Sequence, residues 1–299
     1  MIKPSGFKSR LNPFGWLDKM KARGFGSPAW SKQSEAFQIQ LAPSFGSVQH
    51  APHERERVLE KKPAQSYELS FANSTADIVE AQRLRYKVFA EEMGANLVSA
   101  ASGHDIDEFD EHCEHLLVRE ADTGRVIGAY RLLPPENARK LGRFYSESEF
   151  DLSRLTHLRE RSVEAGRSCV HWEHRNGAVI MLLWSGIPQY MKRYGYEYLI
   201  GCASISLRDG GHGAANLFAG LKESQFTGAE YRVFPKLPLP VEKLRNQDAV
   251  EMPPLVKGYL RAGAKVGGEP AWDPDFNTAD FFMLLSMSQL NPRYARHFG

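Results

Sequence analysis

Apolar and polar positions first alternate at Tyr67-Glu-Leu-Ser-Phe71, the pattern of a short strand. The period then changes. Ile78, Ala81, Leu84, Val88 and Phe89 recur at helical spacing behind Ser74 and Thr75, either of which can cap a helix, and Gly94 stops it after Met93. A polar, acid-rich stretch from Ser99 to Glu114 leads to two strands, 115–119 and 125–133, joined by the hairpin signal Ala-Asp-Thr-Gly124. Further on, the pattern predicts a strand at 162–171, an apolar helix at 175–194, a strand at 197–205 and a helix near 214–223. Beyond Phe226 regularity fades to one helix at 254–264 and an apolar run at 281–290. No internal repeat is found. This order predicts a mixed sheet with helices on its faces, α+β or α/β in class. One domain spans 66–299, with a core at 66–225 and a C-terminal extension at 226–299.

The first 65 residues read differently. Met1 to Trp30 carries Lys3, Lys8, Arg10, Lys19, Lys21 and Arg23 against Asp18 alone, with Phe7, Phe14, Trp16 and Phe25 among them. Basic charge interleaved with aromatic rings suits an interfacial segment on anionic lipid; a disordered leader or a basic arm docking on its own domain has the same composition. Residues 31–65 are polar with scattered prolines and read as a linker. With 42% hydrophobic and 25% charged residues, the remainder can bury a sizeable core. A net charge of +2 gives no footprint for nucleic acid. The three cysteines (Cys113, Cys169, Cys202) form no CxxC pair, which predicts a reducing compartment without a disulfide framework or zinc knuckle. No stretch approaches the roughly 20 apolar residues of a membrane span, and no secretory signal is present. The expected location is the cytoplasm or the cytoplasmic face of the membrane.

The densest chemistry lies between Glu164 and Val179. In a regular strand Glu164 and Arg167 point to opposite faces; a bulge at Gly166 would restore them to one. A carboxylate and a guanidinium on one face of a central strand suit catalysis, and equally a structural ion pair. Arg175-Asn-Gly-Ala-Val179 then opens the apolar helix. Asn176 is a capping residue, Gly177 lets a ligand approach the backbone, and the first helical amides have no internal partner. Together with Arg175 they predict a phosphate cradle. Asp105, Asp107, Glu108, Asp110 and Glu111 form either a solvated acidic loop or a pocket for a cationic amine; their spacing lacks the features of a calcium loop. Arg131 can hold a carboxylate or reach the surface. Cys169 and Cys202 read as buried structural thiols. Neither an HxxxxD box nor GxSxG is present.

Arg85-Tyr-Lys-Val-Phe89, Asp107 with Asp110, Cys-Glu-His115-Leu-Leu-Val118, Gly128-Ala-Tyr-Arg131-Leu-Leu133 and Phe144-Tyr-Ser-Glu-Ser-Glu-Phe150 follow in one order. Glu164-Ala-Gly-Arg-Ser-Cys-Val-His171, Tyr198-Leu-Ile-Gly-Cys-Ala-Ser204, Leu255-Val-Lys-Gly-Tyr-Leu-Arg-Ala-Gly263 and Asp275-Phe-Asn-Thr-Ala-Asp280 continue it. From residue 66 onward the chain resembles the bacterial ornithine N-acyltransferases, in the hemolysin-like branch of the GNAT superfamily. More distantly it is similar to acyl-homoserine-lactone synthases. The resemblance implies a GNAT-like central sheet and transfer of a 3-hydroxyacyl group from acyl carrier protein to the α-amine of ornithine, giving lyso-ornithine lipid. It implies no permanently bound cofactor, since the donor is carried on phosphopantetheine, with acyl-CoA as the alternative.

On that basis Glu164 and Arg167 are the catalytic candidates. Arg85, Phe89, Asp107, Asp110, His115 and Arg131 would bind the amino substrate. Ser168, Cys169, Val170, Arg175, Asn176, Gly177, Ala178, Val179 and Ser204 would bind the acyl donor; no metal ligands are expected. An α-amine is mostly protonated at neutral pH, so Glu164 would serve as its base, without a covalent acyl-enzyme. The same transfer to glutamine, glycine or a homoserine-lactone precursor, and a non-catalytic membrane-binding role, are the rival readings.

Overall fold

The alternation at 67–71 does produce an edge strand, β1 (Tyr67–Phe71), in a computed structural model that describes residues 66–292. The basic aromatic N-terminal segment and its linker lie outside the described residues. Helix α1 (Thr75–Tyr86) starts at a reciprocal capping box in which Ser74 and Asp77 satisfy each other's backbone N–H. The expected helix to Met93 instead widens into a π-helical turn over Lys87–Glu92, which sets Val88 and Phe89 at the rim of the central cleft.

The hairpin follows as β2 (Glu114–Glu120) and β3 (Val126–Leu133), with a short helix α2 (Pro135–Leu141) after it. Then come β4 (Ser162–Val170), α3 (Ala178–Tyr194), β5 (Tyr198–Ser206), α4 (His212–Ala219) and α5 (Pro254–Ala262). The C-terminal segment adds β6 (Lys265–Val266), β7 (Ala271–Asp273) and β8 (Thr278–Ser286). The apolar run predicted at 281–290 is thus mostly strand.

Among the described residues one sheet of eight strands runs β1-β2-β3-β4-β5-β8-β6, with β7 also on β8. Its neighbours are antiparallel except β4 and β5, which are parallel and joined by the crossover helix α3. The C-terminal extension completes the same sheet. Leu116, Val118, Ile127, Leu132 and Val163 pack beneath Val179, Leu183 and Ile187 of α3. Gly128 permits this contact, because a Cβ there would lie 2.6 Å from Val179 Cγ1. On the opposite face Leu117, Ala129 and Cys169 meet Ala81, Leu84 and Val88 of α1 and the turn beyond it.

Two departures from regularity shape the centre of the sheet. β4 and β5 pair only where Ser162–Glu164 meet Tyr198–Ile200, and then part. At the parting point Gly201, at φ 158°, admits the Ala165 carbonyl oxygen into the space a side chain would fill. The second departure is a bulge. Ala129 opposes Cys169 and Arg131 opposes Gly166, so Arg167 and Ser168 together face Tyr130. The extra residue is therefore at Arg167, in the left-handed region at φ 52°, and not at Gly166 as the sequence suggested.

Candidate active site

Two cavities lie on opposite faces of the sheet at the gap between β4 and β5. The larger, about 310 Å³, opens on the α1 face between Phe89, Tyr145, Glu164, Arg167, Ser204 and Asp280. The smaller, about 40 Å³, lies among α3, α5 and β8, walled by Trp184, Ile187, Leu199, Met283 and Leu285. Tyr130, Ala165 and Cys202 border both.

Glu164 stands beside the parting point and is 4% exposed. Its Oε1 accepts from the Ser146 N–H (2.7 Å) and hydroxyl (2.5 Å), and its Oε2 from the Tyr145 N–H (2.5 Å). These donors take three of a carboxylate's roughly four lone-pair directions, fixing the group with about one left for the cavity. Burial pushes its pKa up, and the Ser146 and Tyr145 donors only partly oppose that. A carboxylate held in place with a raised pKa suits a general base.

The bulge does turn Arg167 to the same face as Glu164, but the two are not partners. Arg167 donates to Asp105 (3.2 Å) and Asp107 (3.2 Å), with its guanidinium between the rings of Tyr145 and Phe276 at 4.9 and 4.4 Å. Behind it, Arg85 pairs with Asp105 (2.9 Å) and Asp110 (2.8 Å), and Arg131 with Asp107 (2.6 Å) and Asp110 (3.2 Å). Three arginines thus neutralise three aspartates of the acidic loop. Burial alone would raise the Asp110 carboxyl, yet Arg85 and Arg131 outweigh it and hold the group well below the usual carboxylate range. His115 Nε2 donates to the Asp110 carbonyl oxygen at 3.1 Å; burial lowers its pKa to about 4, leaving it neutral.

Of the residues expected to bind the amino substrate, Phe89 and Arg131 border the large cavity. Arg85, Asp107, Asp110 and His115 form the ionic network behind it. On the donor side, Ser168, Cys169, Val170, Arg175 and Ser204 reach the cavity wall. Helix α3 begins at Ala178 and not at Arg175: Gly177 caps it at φ 93°, and Asn176 Oδ1 accepts the Ala178 N–H (3.0 Å). Val179 is core. Arg175 donates to Val170 O (3.0 Å) and pairs with Glu92 (2.6 Å), so any phosphate there would compete with the Glu92 carboxylate. Burial raises Cys169 to about 12 and Cys202 well above its ordinary value, so both are thiols and poor nucleophiles.

The sequence reading missed Asp273 and Asp280, both buried at the cavity wall. Asp280 interrupts the apolar strand β8, the one signal that could have found it. The Thr278 hydroxyl donates to it (3.1 Å), and burial, with Asp273 nearby, raises it to about 6. No arginine pairs with either carboxylate among the described residues.

Residues 84–185 match the family described as acetyltransferase (GNAT) domain. An L-ornithine N(alpha)-acyltransferase of Brucella abortus is 37% identical over 256 residues, covering 78% of this chain and 89% of that one. A second, of Agrobacterium fabrum, is 37% identical over 250 residues, covering 78% and 85%. A third, of Rhodobacter capsulatus, is 34% identical over 241 residues, covering 77% and 93%. The chain belongs to this acyltransferase family. It is an N-acyltransferase with a GNAT-like fold, which sets aside the non-catalytic reading. The solved structure of the AHL synthase LasI is 12% identical with a TM-score of 0.43, covering 75% of this enzyme and 91% of that chain. Among the described residues no helix is long and apolar enough to cross a membrane.

Proposed function

We propose that the enzyme transfers a 3-hydroxy fatty acyl group from acyl carrier protein to the α-amine of ornithine, giving lyso-ornithine lipid at the membrane surface. The observation that carries this reading is the pair of cavities that share Tyr130, Ala165 and Cys202 next to Glu164, one lined by charged groups and one apolar. The acceptor occupies the first, and the acyl chain enters the second. The phosphopantetheine arm approaches along β4 past Ser168 and Val170, with its phosphate toward Arg175 and the amides at the start of α3. Glu164 removes a proton from the ammonium, the amine attacks the thioester carbon, and the C–S bond breaks as the amide forms. That first proton leaves to solvent, and the second proton that the nitrogen sheds on becoming an amide passes through the freed Glu164 carboxylate to the departing thiolate. The bulge leaves β4 with one more amide than β3 opposite it, a donor suited to the developing oxyanion. Holding both reactants at one gap supplies much of the remaining rate.

Asp273 and Asp280 favour an acceptor with a second ammonium group. Ornithine has one; glutamine and glycine do not. Asp280→Asn is expected to raise the acceptor KM about 10- to 100-fold, the scale of one charged hydrogen bond. In the wild type the same KM rises as pH falls through about 6, where Asp280 loses its charge. Stability moves the other way. A carboxyl whose folded pKa is raised costs stability as pH climbs from its unfolded value of about 3.9 toward 6, so Asn should stabilise the fold at pH 8 by up to about 3 kcal/mol. Thermal unfolding at pH 4 and pH 8 separates the two effects.

The function itself is tested by expression in a host that lacks amino-acid lipids, followed by lipid extraction and mass spectrometry of the head group. A new ornithine-containing lipid is expected. An acyl-glutamine or acyl-glycine would overturn the acceptor, and short-chain products would overturn the donor.

A further inference from the structure

The small cavity is lined mostly by apolar side chains, and the Tyr130 and Tyr259 phenols meet among them, beside the Trp184 indole and the Cys202 thiol. Tyr130 on β3 and Tyr259 on α5 share a hydrogen bond through their hydroxyl groups. Tyr259 is stacked on Trp184 with ring centroids 4.8 Å apart, which fixes its direction. Around the pair stand Ile187, Pro188, Leu199, Met283 and Leu285. A hydroxyl–hydroxyl bond uses one of two protons, so the second points elsewhere. Among the described residues neither phenol has another hydrogen-bond partner. Burial raises Tyr130 to about 12 and Tyr259 well above its ordinary value, so both keep their protons.

Position gives this pair its meaning. Tyr130 borders both cavities, at the same gap where Glu164 stands. A chain entering the apolar cavity from a thioester at the gap passes Tyr130 with its first carbons and reaches Ile187 and Leu285 with later ones. We infer that the Tyr130–Tyr259 pair is the specificity element that reads a hydroxyl group close to the thioester, the feature separating a 3-hydroxyacyl donor from a plain fatty acyl donor. The spare phenolic proton donates to that hydroxyl, and a phenol oxygen accepts from it. A plain chain leaves the two phenols bonded to each other. Discrimination is therefore modest, about 10- to 100-fold, and not the roughly 10⁴-fold of a site whose polar groups would be stranded.

This inference rests on the proposed acyl donor, and the experiment keeps the two apart. The full-length enzyme, Tyr130→Phe and Tyr259→Phe are each assayed with 3-hydroxyhexadecanoyl and hexadecanoyl thioesters of acyl carrier protein, and kcat/KM is compared. The wild type should prefer the hydroxylated donor by the factor above. Each Phe variant should bring the ratio to within about 3-fold of unity, mainly by slowing the hydroxylated donor. Each substitution removes a single oxygen and keeps the ring, so the Trp184 stack survives, and thermal unfolding verifies the fold. If one variant fails to fold, the other decides. A wild-type ratio near one, or a ratio that both folded variants keep, overturns the inference while leaving the donor intact. A wild type that uses neither thioester overturns the donor reading and the inference with it.

Discussion

Glu164→Gln should slow amide formation by about 10²- to 10⁴-fold in a single turnover, the usual contribution of a positioned general base. Gln fills the same space but cannot take a proton from the ammonium. It also turns an amide NH₂ toward the Tyr145 N–H or the Ser146 donors, a conflict that costs roughly 1–3 kcal/mol of stability. Thermal unfolding must therefore accompany the kinetics. Donor binding should stay within a few-fold, since Glu164 touches the acceptor side. In the wild type, single-turnover rates should fall as pH drops through the Glu164 pKa, which burial sets above the usual carboxylate range. A variant within a few-fold of wild type, with that acid limb unchanged, would remove Glu164 from the chemistry.

Arg85→Leu should damage the fold more than any other single change in the ionic network. Arg85 is 1% exposed and lies between Asp105 and Asp110, themselves 2% and 1% exposed. Removing one member of a buried pair leaves charge without compensation and costs about 3–5 kcal/mol. For a domain of this size that corresponds to a fall in Tm of about 6–20 °C. The pH dependence identifies the cause. Asp110 is depressed in the folded protein, so its contribution is present above its unfolded pKa of about 3.9 and is lost as pH falls below that value. The variant should lose this acid sensitivity along with the stability. Equal unfolding temperatures for variant and wild type at neutral pH would show that Arg131 and Arg167 balance the loop without Arg85.

The sequence made the elements legible because their cues are local. The Ser74 or Thr75 cap, the Ala121–Gly124 turn and the apolar period of α3 each act within a few residues. The shared face of Glu164 and Arg167 was legible for the same reason, although the bulge fell one residue later than Gly166. What each charge meets was not legible. Arg167 looked like the partner of Glu164, but the fold brings Asp105 and Asp107 to it from some 60 residues away. The gap that defines the site depends on where β4 stops pairing with β5, a long-range property with no signature in either strand. Tyr130 and Tyr259 are 129 residues apart, and Asp280 lies just before the 281–290 run, at a position given no role from the sequence. Helix α3 began later than expected because Gly177 adopts a left-handed conformation that ends the preceding turns before the helix can start.

On the proposed placement of the acyl chain, the apolar cavity behind the gap also governs how the product leaves. A tail drawn from hydrocarbon walls into water loses about 0.8 kcal/mol per methylene, which slows departure roughly four-fold for each added carbon. In plain buffer, long-chain turnover would therefore stall on exit, with a burst of one amide per enzyme followed by a slow phase. A bilayer or micelle that receives the tail removes that penalty. For this enzyme lipid would act as a solvent for release, so steady-state rates measured without it would report departure and not bond formation.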